Sequence, residues 1–208
     1  MNATRRRAGH NVTTRLQIAF CATGRRKGIA PFQARCCTSA VLRVLFVDDH
    51  CAVRAPIAAA KLRRRGRGRF EVLEAGLKAK AARTAAVHPE AIRLLRLERS
   101  PVEELVVRDL SEVVQKWHAV DFVFVLTAPP EGFTPGVACA LCCHWRIDLA
   151  DLSGSLETAR ASLFRVASDI ERRVELFSSL PIESLEREVL YDRISSIGEQ
   201  PVGNGERR

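Results

Sequence analysis

The stretch VLFVDDHCAVRAPIAAAKLRR, residues 44–64, constrains the fold more than any other part of the chain. An apolar, β-branched run passes through a short polar turn, and Pro56 then opens an amphipathic basic helix. A strand feeding directly into a helix is half of a βαβ unit, and the alternation continues. FEVLEAG (70–76) reads as a second strand, and HPEAIRLLRLE (88–98) as a helix started by His88-Pro89. Leu110, Val113, Val114 and Trp117 recur at helical spacing, and DFVFVL (121–126) is a buried strand. Thr127 to Gly136, with three prolines and two glycines, is a loop, and HWRID (144–148) reads as a last short strand. A long helix is expected over 155–180, with Leu163, Val166, Ile170, Val174 and Phe177 on its buried face, and IESLEREVLYDRISSIG follows Pro181 as another helix.

Strands separated by helices need crossover connections, so the expected class is α/β: a parallel four-stranded sheet with helices on both faces, plus a C-terminal helical extension. Residues 1–42 are read as a basic, disordered or artefactual extension, 43–180 as the α/β domain, and 181–208 as the C-terminal helix and a frayed tail. Ligands of such folds bind at the carboxyl ends of the strands, which points to Asp48–Arg54.

The net charge of +9 looks like a nucleic-acid signal until it is located. Residues 1–43 carry nine Lys and Arg and no acid; taking those nine from 33 leaves 24 basic residues against 24 acidic ones in 44–208. The domain is formally neutral, so nucleic acid is not an expected partner. KLRRRGRGR reads as a solvated helix end, with no aromatic residues interleaved to stack on bases. No stretch approaches the ~18 apolar residues of a membrane span, and no membrane partner is expected. Seven cysteines without a charged-then-apolar export signal suggest reduced thiols and a cytoplasmic setting.

The opening turn resembles two families. VLFVDDH followed by a helix is similar to the start of response-regulator receiver domains, with Asp109 as phosphoacceptor and Thr127 on a later strand. Yet about 60 residues separate Asp48 from Asp109, more than the single βα unit that fold places there, and no lysine follows Asp121. The second resemblance covers residues 43–198. VLFV, then Asp48-Asp49-His50-Cys51-Ala52-Val53-Arg54 and Ala55-Pro56, stands where the low-molecular-weight protein-tyrosine-phosphatase superfamily has strand, Cys-x5-Arg loop, Ser-Pro and helix. FEVLEAG, HPEAIRLL, VDFVFVLT, TPG and HWRIDLADLSGS follow in the family's order, and the ending resembles its phosphatase-like arsenate reductase branch.

That resemblance implies an oxyanion cradle built from the amides of residues 49–54, at a helix N-terminus, with Arg54 as a bidentate clamp. It implies a phosphate- or arsenate-like ligand, no cofactor, and arsenate reduction or phosphomonoester hydrolysis as the reaction. The attacking Cys of the family is replaced by Asp48, its Gly by His50, its Asn by Cys51, and the Ser that hydrogen-bonds the thiolate by Ala55. A second anion in the cradle repels the substrate by roughly 1–4 kcal/mol at ~4 Å, so catalysis is expected to be impaired. Asp148 is the candidate general acid, with Asp151 as the alternative. Cys51, near Arg54 and a helix N-terminus, is the other candidate nucleophile. The thiols that relay a disulfide in the reductases correspond to Thr127 and Thr134.

CALCCH, Cys139 to His144, has a C-x-x-C half-site spacing. A structural zinc needs a second half-site, which only Cys36 and Cys37 could supply, so no metal is expected and Cys139, Cys142 and Cys143 are read as idle thiols. The residues give no indication of a protein partner.

Overall fold

The computed structural model describes residues 41–199, apart from 67, 84–85 and 150–151. Most of the basic extension, Asp151, Cys36 and Cys37 lie outside the described residues. Four strands, β1 (Leu42–Asp48), β2 (Phe70–Gly76), β3 (Ala119–Val125) and β4 (Ala138–His144), form one sheet in the order β2-β1-β3-β4. Every pairing is parallel. The order reverses at β1, so the crevice at its carboxyl end lies between connections that run opposite ways.

Helices α1 (Arg54–Gly66), α2 (Pro89–Leu97), α4 (Leu156–Ser178) and α5 (Arg187–Glu199) share one core with Val44, Phe46, Phe122, Phe124 and Leu141 of the sheet. The seven-residue α3 (Leu110–Lys116) covers the other face, placing Val113 and Trp117 with Leu45, Val47, Val123 and Val125. Local signals explain the helix starts: His88, Asp109 and Ser155 each accept an N-cap hydrogen bond, and Pro89 occupies the first turn of α2. The expected stripe of α4 is buried from Leu163 to Phe177; burying each such side chain is worth roughly 1.5–3 kcal/mol.

Two elements differ from the sequence reading. The last strand is Ala138–His144, not 144–148. Alanine and cysteine pack there as small hydrophobes against β3, which the chemical look of CALCCH conceals. Trp145 closes the edge: its indole N–H donates to the Ile194 carbonyl (3.0 Å) and its ring lies 4.1 Å from that of Phe124. The segment after Pro181 is divided as well. A 3-10 turn, Ile182–Ser184, sinks Ile182 into the core, Leu185 turns extended, and α5 starts only at Arg187.

Arg63, Arg64, Arg65 and Arg69 of KLRRRGRGR make specific pairs instead of forming a purely solvated face. Arg64 and Arg65 pair with Glu171 of α4, and Arg69 donates to the Ser178 and Leu180 carbonyls and pairs with Glu183. They tie α1 and the start of β2 to the C-terminal helices.

Candidate functional site

The loop between β1 and α1 turns sharply, and its amides point inward. Cys51 has φ +55°, a left-handed conformation that costs a residue with a Cβ roughly 1–2 kcal/mol. The end of β2 presses on this turn: a Cβ at Gly76 would lie 2.7 Å from the His50 carbonyl carbon and 2.8 Å from the Cys51 nitrogen. Leu77 and Lys78 N–H groups donate to the Asp48 and Asp49 carbonyls, and His88 N–H to that of Ala52. Glycine at 76 is therefore a requirement of the loop. Its signal was visible in FEVLEAG, where the strand stops on Ala-Gly.

Three amides converge, those of His50, Cys51 and Ala55, and the group they meet is a carboxyl of the chain itself. Asp48 Oδ1 accepts from the N–H groups of His50 (3.1 Å) and Cys51 (2.5 Å), and Oδ2 accepts from Ala55 at the first turn of α1 (3.0 Å). Only 3% of Asp48 is exposed. Burial is the main influence on this carboxyl and raises its pKa, against the backbone hydrogen bonds and Arg54, which favour the ion.

Arg54 is engaged in the same way. Nη2 donates to Asp49 Oδ2 at 2.6 Å; Nη1 donates to the carbonyls of Ile147 (2.8 Å) and Leu126 (3.4 Å). Its Nε is buried without a partner. Asp49 Oδ2 also accepts from the Thr127 hydroxyl at 2.7 Å. Burial alone would raise the Asp49 pKa, but the hydrogen bonds from Thr127 and Arg54 outweigh it and hold the carboxyl below its ordinary value of 3.8. Two neighbouring acids are thus shifted in opposite directions, one inside the amide ring and one on the guanidinium.

The other candidates are dispersed. The Cys51 thiol is buried, points at the Val106 carbonyl (3.9 Å), and is pushed up to about 12 by burial. Asp148 is exposed and pairs with Arg146 at 3.3 Å; its neighbour Ile147, not Asp148 itself, touches Arg54. Thr134 is exposed. Asp109 caps α3, accepting from Lys80, Ser111 N–H and the Ser111 hydroxyl, and its only ladder partner is Gly76 of β2. That placement gives it no strand-end position beside Asp48 of the kind a receiver acceptor needs. Thr127, expected at a relay or receiver position, instead donates its hydroxyl to Asp49. Among the described residues no group of three or more His, Cys, Asp or Glu could hold a metal, and no helix is long and apolar enough to cross a membrane.

A parallel 2-1-3-4 sheet with an amide-ringed loop after its first strand defines a class, and the chain has the fold of low-molecular-weight tyrosine phosphatases and arsenate reductases. Among solved structures, Vibrio vulnificus Wzb in complex with benzylphosphonate matches at 15% identity and TM-score 0.51, over 67% of this chain and 98% of that one. An arsenate reductase in the phosphate binding state matches at 17% identity and TM-score 0.50, over 66% and 97%. The Corynebacterium glutamicum thioredoxin-dependent arsenate reductase Cg_ArsC1' matches at 21% identity and TM-score 0.48, over 67% of this chain but 61% of that one. No protein-family model and no curated protein matches the chain.

Proposed function

We propose that this is a phosphatase-like domain whose oxyanion loop is filled by its own carboxylate, and that it turns over neither phosphomonoesters nor arsenate. The observation that carries the reading is the closure of both positive elements on internal acids: three loop N–H groups on Asp48, and the Arg54 guanidinium on Asp49. A substrate oxyanion must displace both, and then finds no thiolate. Asp48 is held by amides instead of facing outward, and the Cys51 thiol stays protonated at neutral pH. An aspartyl nucleophile elsewhere relies on a metal to offset its charge, and the Asp148 carboxyl is exposed and paired with Arg146.

Assays with p-nitrophenyl phosphate, and with arsenate plus a thiol reductant, are expected to stay at background. Robust turnover abolished by Asp48→Ala would overturn the reading; turnover abolished by Cys51→Ser would make Cys51 the nucleophile.

The unpartnered Arg54 Nε favours a second reading, in which the loop still senses an oxyanion of the kind bound in the phosphate-state reductase. Calorimetry with phosphate or arsenate separates the two. Binding by the parent chain that Arg54→Ala removes supports the sensor, and silence in the parent ends it.

A further inference from the structure

Exposed apolar surface is concentrated along α2 and α4. Seven large hydrophobic side chains are left exposed among the described residues, and three of them stand on these two helices: Leu97, 68% exposed, Phe164, 59% exposed, and Leu156. The helices wall an open groove of about 280 Å³, with Arg93 and Leu94 on one side and Arg160, Ala161 and Phe164 on the other. Leu97 lies one turn beyond Arg93 and Leu94, and Leu156 one turn before Arg160, so both prolong its walls. Isolated exposed hydrophobics are ordinary on a surface; three along one groove mark a contact site.

The rim of this groove carries surplus positive charge. Its acid, Glu90, is already held by Arg160 at 2.7 Å and lies 3.8 Å from Arg93. Arg96 and Arg165 are exposed beside it, Arg165 donating to the Ser162 hydroxyl, and Glu157 stands one turn before Ala161. The reverse combination is exposed on α5. Val189 sits in the first turn of that helix, with Glu186 and Glu188 beside it and Asp192 one turn on, all of them exposed. Of the two bases among these acids, Arg187 is directed at the Ala140 carbonyl, which leaves Arg193.

We propose that the occupant of the groove is a second copy of this chain, the start of α5 from one protomer lying between α2 and α4 of its partner. An apolar residue flanked by acids then meets an apolar groove flanked by arginines: Val189 covers Leu97 and Phe164, while Glu188 and Asp192 reach Arg93, Arg96 and Arg165. The N-terminal extension has the wrong charge for this place, since residues 1–43 hold nine Lys and Arg and no acid. A 13-residue helix, ~20 Å long and ~10 Å across, covers only part of the ~800 Å² per partner of a standard interface. The contact is therefore made twice, each groove receiving the other copy's α5, which closes the pair on a two-fold axis.

Sedimentation of the full chain in reducing buffer, over a roughly hundredfold range of concentration, tests the pairing. The expected result is a monomer–dimer equilibrium that shifts towards monomer as salt is raised. Phe164→Ser, Arg96→Glu and Asp192→Arg should each weaken the dimer roughly tenfold, all three being exposed positions that leave the fold intact. Arg96→Glu combined with Asp192→Arg should recover most of the loss, because the reversed charges meet again across the interface. A chain that stays monomeric throughout overturns the proposal, and so does a dimer that Phe164→Ser and Arg96→Glu both leave unchanged, since it would form elsewhere. Binding of a monomeric chain to phosphatidylserine vesicles, lost in Phe164→Ser, would assign the face to an anionic membrane instead and overturn it too.

Discussion

At its N-terminal end α1 meets two acids from the end of β1 and the loop after it, Asp48 and Asp49; at its C-terminal end, Lys61 and three arginines meet acids of β2 and α4 and Glu98 at the end of α2. Both arrangements complement the helix dipole, negative charge at the start and positive charge at the end. They differ in where the partners come from. Lys61, 1% exposed, reaches Glu171 at 2.8 Å and also Glu98, and Arg63 reaches the fully buried Glu74 at 2.8 Å. These pairs join separate elements across the core, so their role is architectural. Asp48 and Asp49 instead lie beside the positive groups they neutralise, within seven residues of them. The same electrostatics produces a fastening at one end and, at the other, a loop closed on its own carboxyls.

Removing a charge separates the two roles most sharply at the fastening. Lys61→Ala is expected to cost about 3 kcal/mol, because it leaves Glu98 and Glu171 short of a buried partner; Arg64 and Arg65 still reach Glu171, which keeps the cost from rising further. Urea unfolding measures it, and a loss under about 1 kcal/mol would mean these pairs act like exposed ones. Next comes Asp48→Ala, at about 2 kcal/mol, since three loop N–H groups lose their acceptor in a buried site. Here an added anion should compensate. If the loop is a cradle, phosphate raises the melting temperature of Asp48→Ala and leaves the parent unchanged; indifference in both would show that the ring of amides collapses once empty.

Asp49→Asn probes the loop with the opposite pH dependence. The Asp49 carboxyl titrates below its unfolded value of 3.8, so its stabilisation is complete above that value and disappears as pH falls through the lower folded one. Asp48 is shifted upward, so the stability linked to its ionisation is greatest below 3.8 and declines as pH rises through its folded value. The variant should lie about 1 kcal/mol below the parent at pH 7, a modest figure because Asp49 is a third exposed. The gap should narrow only as pH falls below 3.8 and close below the lower folded value; a gap independent of pH would assign the effect to shape and not to charge.

The two ends of α1 were also unequally legible. β2 occupies the seven residues of FEVLEAG, and β1, α1 and α4 fall where apolar period and turn chemistry placed them, because those signals are local. β4 was misplaced because CALCCH lacks β-branched residues and its pairing with β3 is invisible without the fold. In the loop, the sequence pointed directly to Asp48 and Arg54 as residues at the carboxyl end of β1. Their engagement was not legible: Thr127 is 78 residues from Asp49, and Ile147 is 93 from Arg54. Contacts at that separation are fixed by the crossover connections, and a single sequence carries no local trace of them. The arginine run was misread for the same reason, since Glu171 lies 106 residues beyond Arg65.

Arg65→Ala sets the lower limit of the comparison. Its guanidinium is a third exposed and shares Glu171 with Arg64 and Lys61, while its second partner, Glu175, is more than half exposed. A pair so placed gains little over hydration, and the network keeps its buried members without it, so the expected cost is about 0.5 kcal/mol and shrinks in salt. Unfolding in low and high salt reads both quantities. A salt-insensitive loss above about 2 kcal/mol would mean that Arg65 acts through the apolar packing of its stem, and that the fastening at this end of α1 is less electrostatic than its pairs suggest.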